Sequence, residues 1–148
     1  MTDSAYRAKT WLRRADTLES DRRKAANKLL RIEAKVNNCV INYEGEGGRD
    51  QLSGQTAHED LLYSYSIAAA ELEQITNKVI REDLITLHVI DKIPNAFHRA
   101  ILTGRYISRY SMTQMVQCGQ YELKKSQLIE HHNKALEELA AVLDKSNG

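Results

Sequence analysis

Apolar and small side chains recur at helical spacing along the first 42 residues, and positions 4–42 contain neither Gly nor Pro. The steps between them alternate between three and four residues, with one polar member, Arg22, between Leu18 and Ala25. The other members are Ala8, Trp11, Ala15, Leu29, Ile32, Val36 and Cys39. About four such heptads predict one long helix over about 4–42, with a coiled-coil seam along one face.

A second helix is predicted after a polar, Gly-rich loop over 43–55. Thr56 and Glu59 have the spacing of a capping box, which predicts a helix over 56–91. Its seam has the same alternating steps, at Leu61, Tyr65, Ala68, Leu72, Ile75 and Val79. Two long helices joined by a loop predict an antiparallel hairpin over residues 1–93.

Beyond Pro94 the apolar positions predict shorter helices, which make up a second domain over 94–148. The expected elements are a helix from Asn95 to about Leu102, an interruption at Gly104, a short helix opened by the capping box Ser111–Gln114, a turn at Cys118–Tyr121 and a last helix over about 122–143. The predicted fold class is therefore all-α, a long helical hairpin followed by a helix-turn-helix bundle.

Composition and cysteine usage exclude several classes of protein. No apolar stretch is long enough for a transmembrane helix, and the N-terminus lacks the pattern of a signal peptide. Cys39 and Cys118 form no disulfide framework, which favours a reducing cytoplasm. Adjacent His131 and His132 point about 100° apart on a helix, so neither a metal nor another cofactor is expected. No catalytic motif is present, and we expect no enzymatic activity.

The net charge of +1 conceals three segments of different sign. Residues 1–42 have ten Lys and Arg against five Asp and Glu, residues 43–93 four against ten, and residues 94–143 six against four. One interpretation is charge complementarity between the two hairpin helices. The other is a basic stripe that contacts DNA phosphates. That stripe would consist of Arg13, Arg14, Arg22, Arg23 and Lys24.

The C-terminal third has the layout of a helix-turn-helix, in which the start of the last helix contacts base edges in the major groove. Lys and Gln suit guanine and adenine edges, respectively. The base-reading candidates are Lys124, Lys125, Gln127 and His131. Candidates for phosphate contacts lie before or at the start of the short helix. They are Arg105, Arg109, Ser111 and Thr113.

Three stretches of the same region, Ile93–Ile107, Leu123–Leu128 and Ala135–Leu136, together with Ser111, resemble phage-encoded late-gene transcription regulators of the ArpU and RinA type. Those regulators are similar in turn to the promoter-reading C-terminal domain of sigma factors. The resemblance covers about 50 of the 148 residues. The stretch from Met115 to Leu123 is about two residues longer than the usual turn. The resemblance implies a sigma-like fold and DNA binding.

The sequence thus predicts a DNA-binding transcription regulator, of phage or mobile-element origin, that acts on late genes through double-stranded DNA. RNA polymerase or another protein is a candidate partner for the hairpin, and homodimerisation is an alternative use of its seam. The rival hypothesis is a protein-interaction module that does not bind DNA. Such a module would inhibit or adapt a host or phage protein through the helical hairpin.

Overall fold

The computed structural model describes residues 1–45, 51–119 and 122–147, with no description of the side chains at 39–45, 51–56 and 147. These residues form helices and contain no strand, which confirms the all-α prediction. The helices are α1 (Asp3–Leu12), α2 (Asp16–Gly45), α3 (Gln51–Ile90), α4 (Ala96–Leu102), α5 (Met112–Gln117) and α6 (Lys125–Asn147). Within the described part of the chain, none of the helices is long and apolar enough to cross a membrane.

The prediction of one unbroken helix over 4–42 is wrong, because the helix breaks at Arg13–Ala15. At the break the amide of Arg13 donates to the carbonyl of Lys9, and the amide of Asp16 donates to the carbonyl of Arg13. The Arg13 side chain also donates to Asp16 over 3.0 Å. These bonds satisfy the backbone groups that a helix end leaves open, so the break needs neither Gly nor Pro.

The predicted loop over 43–55 is also too long. α2 continues to Gly45 and α3 already begins at Gln51, so Thr56 lies inside a helix and does not cap its start. Gly54 stands in the first turns of α3, where a glycine costs about 1 kcal/mol relative to alanine and does not by itself end a helix. Residues 46–50 lie outside the described part of the chain.

The contacts divide the chain into two units that differ from the predicted domains 1–93 and 94–148. The first unit consists of Met1–Asp16 and Arg81–Gly148, and the second is Thr17–Ile80. α1 therefore belongs with the C-terminal third, and α3 contributes its last ten residues to that unit.

The first unit has a well-buried apolar core. α1 packs along α6, which also contacts α4 and α5. The fully or nearly buried residues of this core come from α1, the end of α3, α4 and α6. They are Ala5, Ala8, Leu12, Ile90, Ile93, Leu102, Tyr106, Ala135, Leu136, Leu139 and Ala140. Small residues on α1 and α6 allow the two helices to approach closely.

The interruption expected at Gly104 is a change of helix type. α4 begins after Asn95, close to the predicted helix start, and the Asn95 side chain accepts from the amides of Phe97 and His98. It then continues as a π-helical turn over Thr103–Ile107. The π-helical turn places Tyr106 in the core of the first unit, where Tyr106 is 8% exposed.

The second unit is formed by most of α2 and the first thirty residues of α3. Only five residues connect the two helices, which makes them antiparallel neighbours within one compact unit. The predicted seam positions on both helices are buried or half-buried, except that the side chain of Cys39 is outside the description. Lys28 and Glu71 form an ion pair across the hairpin at 3.7 Å.

Arg22, the polar member of the seam, is held by a carboxylate of its own helix. Its guanidinium donates to both carboxylate oxygens of Glu19, at 2.8 and 2.7 Å. Arg23 also donates to Glu19, at 3.4 Å. Glu19 is 8% exposed and carries a charge, so these bonds offset the cost of removing it from water.

Candidate nucleic-acid interface

The short helix α5 is held at its start by the predicted capping box. Ser111 Oγ accepts from the amide of Gln114 at 3.1 Å, and the Gln114 side chain accepts from the amide of Ser111 at 2.8 Å. Ser111, a phosphate candidate, therefore already has a structural role. Thr113, in the first turn of the same helix, is exposed and remains accessible.

The connection between α5 and α6 is longer than predicted. Cys118 caps α5, Gly119 follows with φ of +67°, and Glu122 has φ of +48°. α6 begins at Lys125 and not near 122, so the predicted start of the last helix is wrong by about one turn. A left-handed residue at the end of α5 is a common way to terminate a helix. Gln120 and Tyr121, in the predicted turn, lie outside the described residues.

The two helices pack through a small apolar cluster. Ile101, Met115 and Leu128 are its buried members, one from each of α4, α5 and α6. Phe97, Met112 and Val116 pack around them. This cluster fixes the start of α6 against α5, which is the mechanical requirement for presenting one helix end to a ligand.

The start of α6 exposes polar and basic side chains. Lys124, Lys125 and Gln127 are all exposed, as are Ser126, Glu130 and Lys134 on the same side of the helix. Gln127 Oε1 accepts from the amide of Lys124 at 3.1 Å. The Gln127 side-chain oxygen is therefore already engaged once at the start of α6, and bidentate reading of adenine uses both this oxygen and the NH₂ group.

His131 does not belong to this exposed surface. Its ring stands edge-on to Phe97, with centroids 5.1 Å apart, and its Nδ1 lies 3.4 Å from His98 Nε2. His98 is buried and its Nδ1 is 2.9 Å from Glu138 Oε1. The chain Glu138–His98–His131 thus links α4 to α6, and the structure gives His131 a packing role in place of the predicted base contact.

Arg109 is likewise occupied. Its guanidinium donates to both carboxylate oxygens of Asp83, at 3.0 and 3.2 Å, and to the carbonyl of Ile107 at 2.9 Å. Its backbone has φ of +61°, which is uncommon for a residue with a side chain. Arg109 therefore ties the segment after α4 to α3, and the predicted phosphate contact would have to compete with this bidentate pair.

Arg105 is the remaining arginine among the phosphate candidates. It is half-buried, and its guanidinium lies over the ring of Tyr106, 5.6 Å from the centroid. The Tyr106 hydroxyl is 2.9 Å from His132 Nε2, and both rings are buried. Burial lowers the pKa of His132 to about 4 and raises the pKa of Tyr106 to about 12. His132 is therefore neutral at pH 7, and a hydrogen bond joins its Nε2 to the phenolic oxygen of Tyr106.

The basic stripe considered for Arg13–Lys24 is mostly neutralised. Arg13 pairs with Asp16, and Arg22 and Arg23 pair with Glu19. Arg14 donates to the Glu82 carboxylate at 3.1 Å and to Thr86 Oγ1 at 3.0 Å. Its guanidinium also lies 3.9 Å from the centroid of the Trp11 ring. Lys24 alone of the five has no ion pair among the described residues.

Sequence reasoning missed the partners of several buried or half-buried groups. The pairs Arg14–Glu82, Arg109–Asp83, His98–Glu138 and Tyr106–His132 join residues that are 26 to 68 positions apart. Glu82 and Asp83 are half-buried ion-pair partners. The described residues contain no cluster of three or more His, Cys, Asp or Glu that could hold a metal ion.

No curated protein matches the chain significantly, and no solved structure does either. A family model matches residues 48–140, a range that includes α3, α4, α5 and most of α6. This match covers more than half of the chain, and the chain therefore belongs to DUF1492, a family described as a protein of unknown function.

Proposed function

We propose that this protein is a regulator of transcription that binds double-stranded DNA through α5 and α6. The observation that carries the proposal is the exposed start of α6, with Lys124 and Lys125 beside each other, held against α5 by the buried cluster of Ile101, Met115 and Leu128. In helix-turn-helix proteins, a helix supported in this way enters the major groove with its first residues at the base edges.

The remaining candidates divide into two roles. Lys124 and Lys125 are the side chains for base edges or adjacent phosphates, and the Gln127 NH₂ group is a donor for a base acceptor. Thr113 and Arg105 are the remaining candidates for phosphate contacts. The unit that contains them has thirteen Lys and Arg and ten Asp and Glu, a modest excess of positive charge. Affinity from this unit alone is therefore expected to be moderate and sensitive to salt.

We propose further that the regulated genes are phage late genes. This proposal rests on the resemblance of residues 93–107 and 123–136 to ArpU- and RinA-type regulators. RNA polymerase is the proposed protein partner in that role, since those regulators resemble the promoter-reading domain of sigma factors. A run-off transcription assay with phage late promoters and bacterial polymerase tests this part separately from DNA binding.

The DNA-binding proposal is tested by fluorescence anisotropy with labelled duplex DNA at 50 and 200 mM salt. We expect wild-type affinity to fall at least tenfold between these concentrations, because phosphate contacts release bound counterions. The variant Lys124→Gln/Lys125→Gln should bind at least tenfold more weakly at 50 mM salt. Lys92→Gln/Lys145→Gln removes the same charge from exposed positions of the same unit and is the matched control.

Two results would contradict the proposal. One is wild-type protein that shows no duplex binding at 50 mM salt. The other is equal weakening by the α6 variant and its control, which would show that only net charge matters. Circular dichroism spectra and melting temperatures of the three proteins should agree, so that a lost fold is not mistaken for a lost contact.

A specific observation favours the second candidate function, a protein-interaction module that acts through the hairpin. One side of the hairpin, which we call the apolar side, exposes Leu30, Leu62 and Ile80, at 62%, 46% and 50%. Around these residues the same side has small or half-buried Ala26, Ala69 and Thr76. Exposed apolar side chains grouped on one side are typical of a surface that another protein covers.

The variant Leu30→Lys/Ile80→Lys tests this second function. An inhibitor or adaptor should capture a specific host or phage protein, identified by mass spectrometry, that the variant fails to capture. Light scattering of both proteins in the same buffer reports whether the partner is a second copy of the chain. If capture and molar mass are the same for both proteins, the apolar side has no role in binding.

A further inference from the structure

Four basic residues of α2 lie along one side of the hairpin. At about 100° per residue, Lys24, Lys28, Arg31 and Lys35 fall within about 60° of one another and extend over about 16 Å of the helix. All four are exposed. Lys28 pairs with Glu71 across the hairpin and points about 160° away from the exposed Leu30, so this row and Leu30 lie on different sides of the hairpin. We call this surface the basic side.

The charge of the basic side is largely uncompensated. Lys28 shares its charge with Glu71, and both side chains of this pair are more than half exposed. Lys24, Arg31 and Lys35 have no ion pair among the described residues of the chain. Along the stretch of hairpin between Lys24 and Lys35, Glu71 is the single carboxylate that the described residues place on this side.

The neighbouring residues of α3 complete the surface. Counting at helical spacing from Glu71, the same side of α3 carries Ser64, Ile67, Gln74 and Lys78, all exposed. Two carboxylates, Asp21 and Asp60, lie beyond the ends of the lysine row. Between Lys24 and Lys35 the basic side therefore combines four cations with hydroxyl and amide groups, and Ile67 is a large apolar residue on it. Lys78 lies beyond Lys24, at the level of Asp21.

This composition selects the kind of partner. Lysine is depleted in protein–protein interfaces, whose centres contain aromatic and other apolar groups. Contacts to nucleic-acid phosphates come from Lys and Arg, helped by Ser, Thr, Asn and Gln. The basic side has the composition of a phosphate-binding surface, and the apolar side has that of a protein–protein interface, although both belong to the same two helices.

We infer that the basic side of the hairpin, formed by Lys24, Lys28, Arg31 and Lys35, binds the phosphate backbone of double-stranded DNA. It is a surface separate from the start of α6, and it carries no sequence discrimination because phosphates are the same at every base pair. The inference rests on the proposed function only in sharing its ligand. The contact at the basic side supplies affinity, and the start of α6 supplies the choice of sequence.

The test measures the dependence of duplex affinity on salt for the full chain. Lys24→Gln/Arg31→Gln/Lys35→Gln should lower the slope of log affinity against log salt by about 2 to 3, since each phosphate contact contributes about 0.9. Arg81→Gln/Lys92→Gln/Lys145→Gln changes the charge by the same amount, with the same residue types at exposed positions, and should leave the slope nearly unchanged.

A second variant changes affinity in the opposite direction. Glu71→Gln removes the carboxylate that shares the charge of Lys28, so duplex affinity at 50 mM salt should rise about two- to fivefold and the slope should steepen. This gain cannot arise from an unfolded protein. An unchanged or weaker affinity of Glu71→Gln would overturn the inference.

The outcomes separate this inference from the proposed function. If the triple variant at the basic side binds like wild type while Lys124→Gln/Lys125→Gln binds weakly, the inference is overturned and the function of α6 stands. If Lys124→Gln/Lys125→Gln binds like wild type while the triple variant binds weakly, the basic side binds DNA and the role of α6 is overturned. Equal loss in the triple variant and its charge-matched control would overturn the inference, and a wild type that does not bind would overturn both.

Discussion

The two units of this protein bury their apolar residues to very different degrees. In the unit that contains α1 and α6, Leu136 and Leu139 are completely buried. In the hairpin unit Ala68 and Val79 are buried, but the seam leucines Leu29 and Leu72 are only half-buried, because two helices can cover each other on one side only. The first unit therefore has the properties of a folded core. In the second unit, a narrow contact between α2 and α3 leaves much of both helices exposed.

The largest expected effect is a difference in the cost of truncating a leucine. Leu136→Ala should destabilise its unit by about 2–5 kcal/mol, because the side chain leaves a cavity in a closed core. Leu72→Ala in the hairpin should cost about half as much or less, since water reaches part of the site. Urea unfolding followed by circular dichroism measures both. Equal losses would show that the two units are buried to the same effective degree.

Acidification should weaken the first unit through His132. The pKa of His132 is lowered to about 4 in the folded state, against about 6.5 when unfolded, so the unfolded state binds the proton more readily. Its contribution to stability is complete above about pH 6.5 and is lost as the pH falls toward 4. A shift of this size corresponds to roughly 3 kcal/mol.

Thermal unfolding between pH 7 and 4.5 checks this expectation. His132→Phe keeps an aromatic ring beside Tyr106 without a titrating group, and it should flatten the acid branch of the stability curve. His58→Phe is the control in the hairpin unit, where the histidine is half-buried. An acid branch that His132→Phe leaves unchanged would assign the loss to other groups.

A smaller effect separates the ion pairs of the two units. Arg109 and Asp83 are about one-fifth exposed and form two hydrogen bonds, so a double-mutant cycle with Arg109→Gln and Asp83→Asn should give a coupling of about 1–2 kcal/mol. A coupling near zero would mean that the bidentate geometry is not maintained in solution.

The smallest effect is expected for the pair that crosses the hairpin. Lys28 and Glu71 are more than half exposed and 3.7 Å apart, so Lys28→Gln with Glu71→Gln should give a coupling below about 0.5 kcal/mol. The same urea experiments measure it. A coupling as large as that of Arg109 and Asp83 would remove the contrast between the units, and added salt should reduce it further.

The sequence was sufficient for local features because these depend on neighbouring residues. The seam positions of both long helices, the capping box at Ser111 and the helix start at Asn95 follow from spacing alone. The break at Arg13–Ala15 could not be foreseen, since it contains no helix breaker. It is accompanied by bonds from Arg14 to Glu82 and Thr86, about 70 residues away.

The candidate site shows the same division. Lys124, Lys125 and Gln127, named as candidates from their place at the start of the last helix, are exposed. Periodicity could not show that Arg109 and His131 are occupied, because Asp83, Phe97 and His98 belong to helices distant in the sequence. Side-chain availability is a property of tertiary contacts, so residue type and spacing overestimated the number of groups free for DNA.

The packing of α1 against α6 has a consequence for the order of events during synthesis. Leu12 leaves the ribosome roughly 125 residues before Leu136, which belongs to the same apolar core. At a synthesis rate of about 5–20 residues per second, the apolar residues of α1 remain without α6 for several seconds or longer. The hairpin, made entirely in between, can form first. α6 therefore completes a core whose first helix was synthesised much earlier. Chaperone binding to nascent chains should concentrate on Ala5–Leu12.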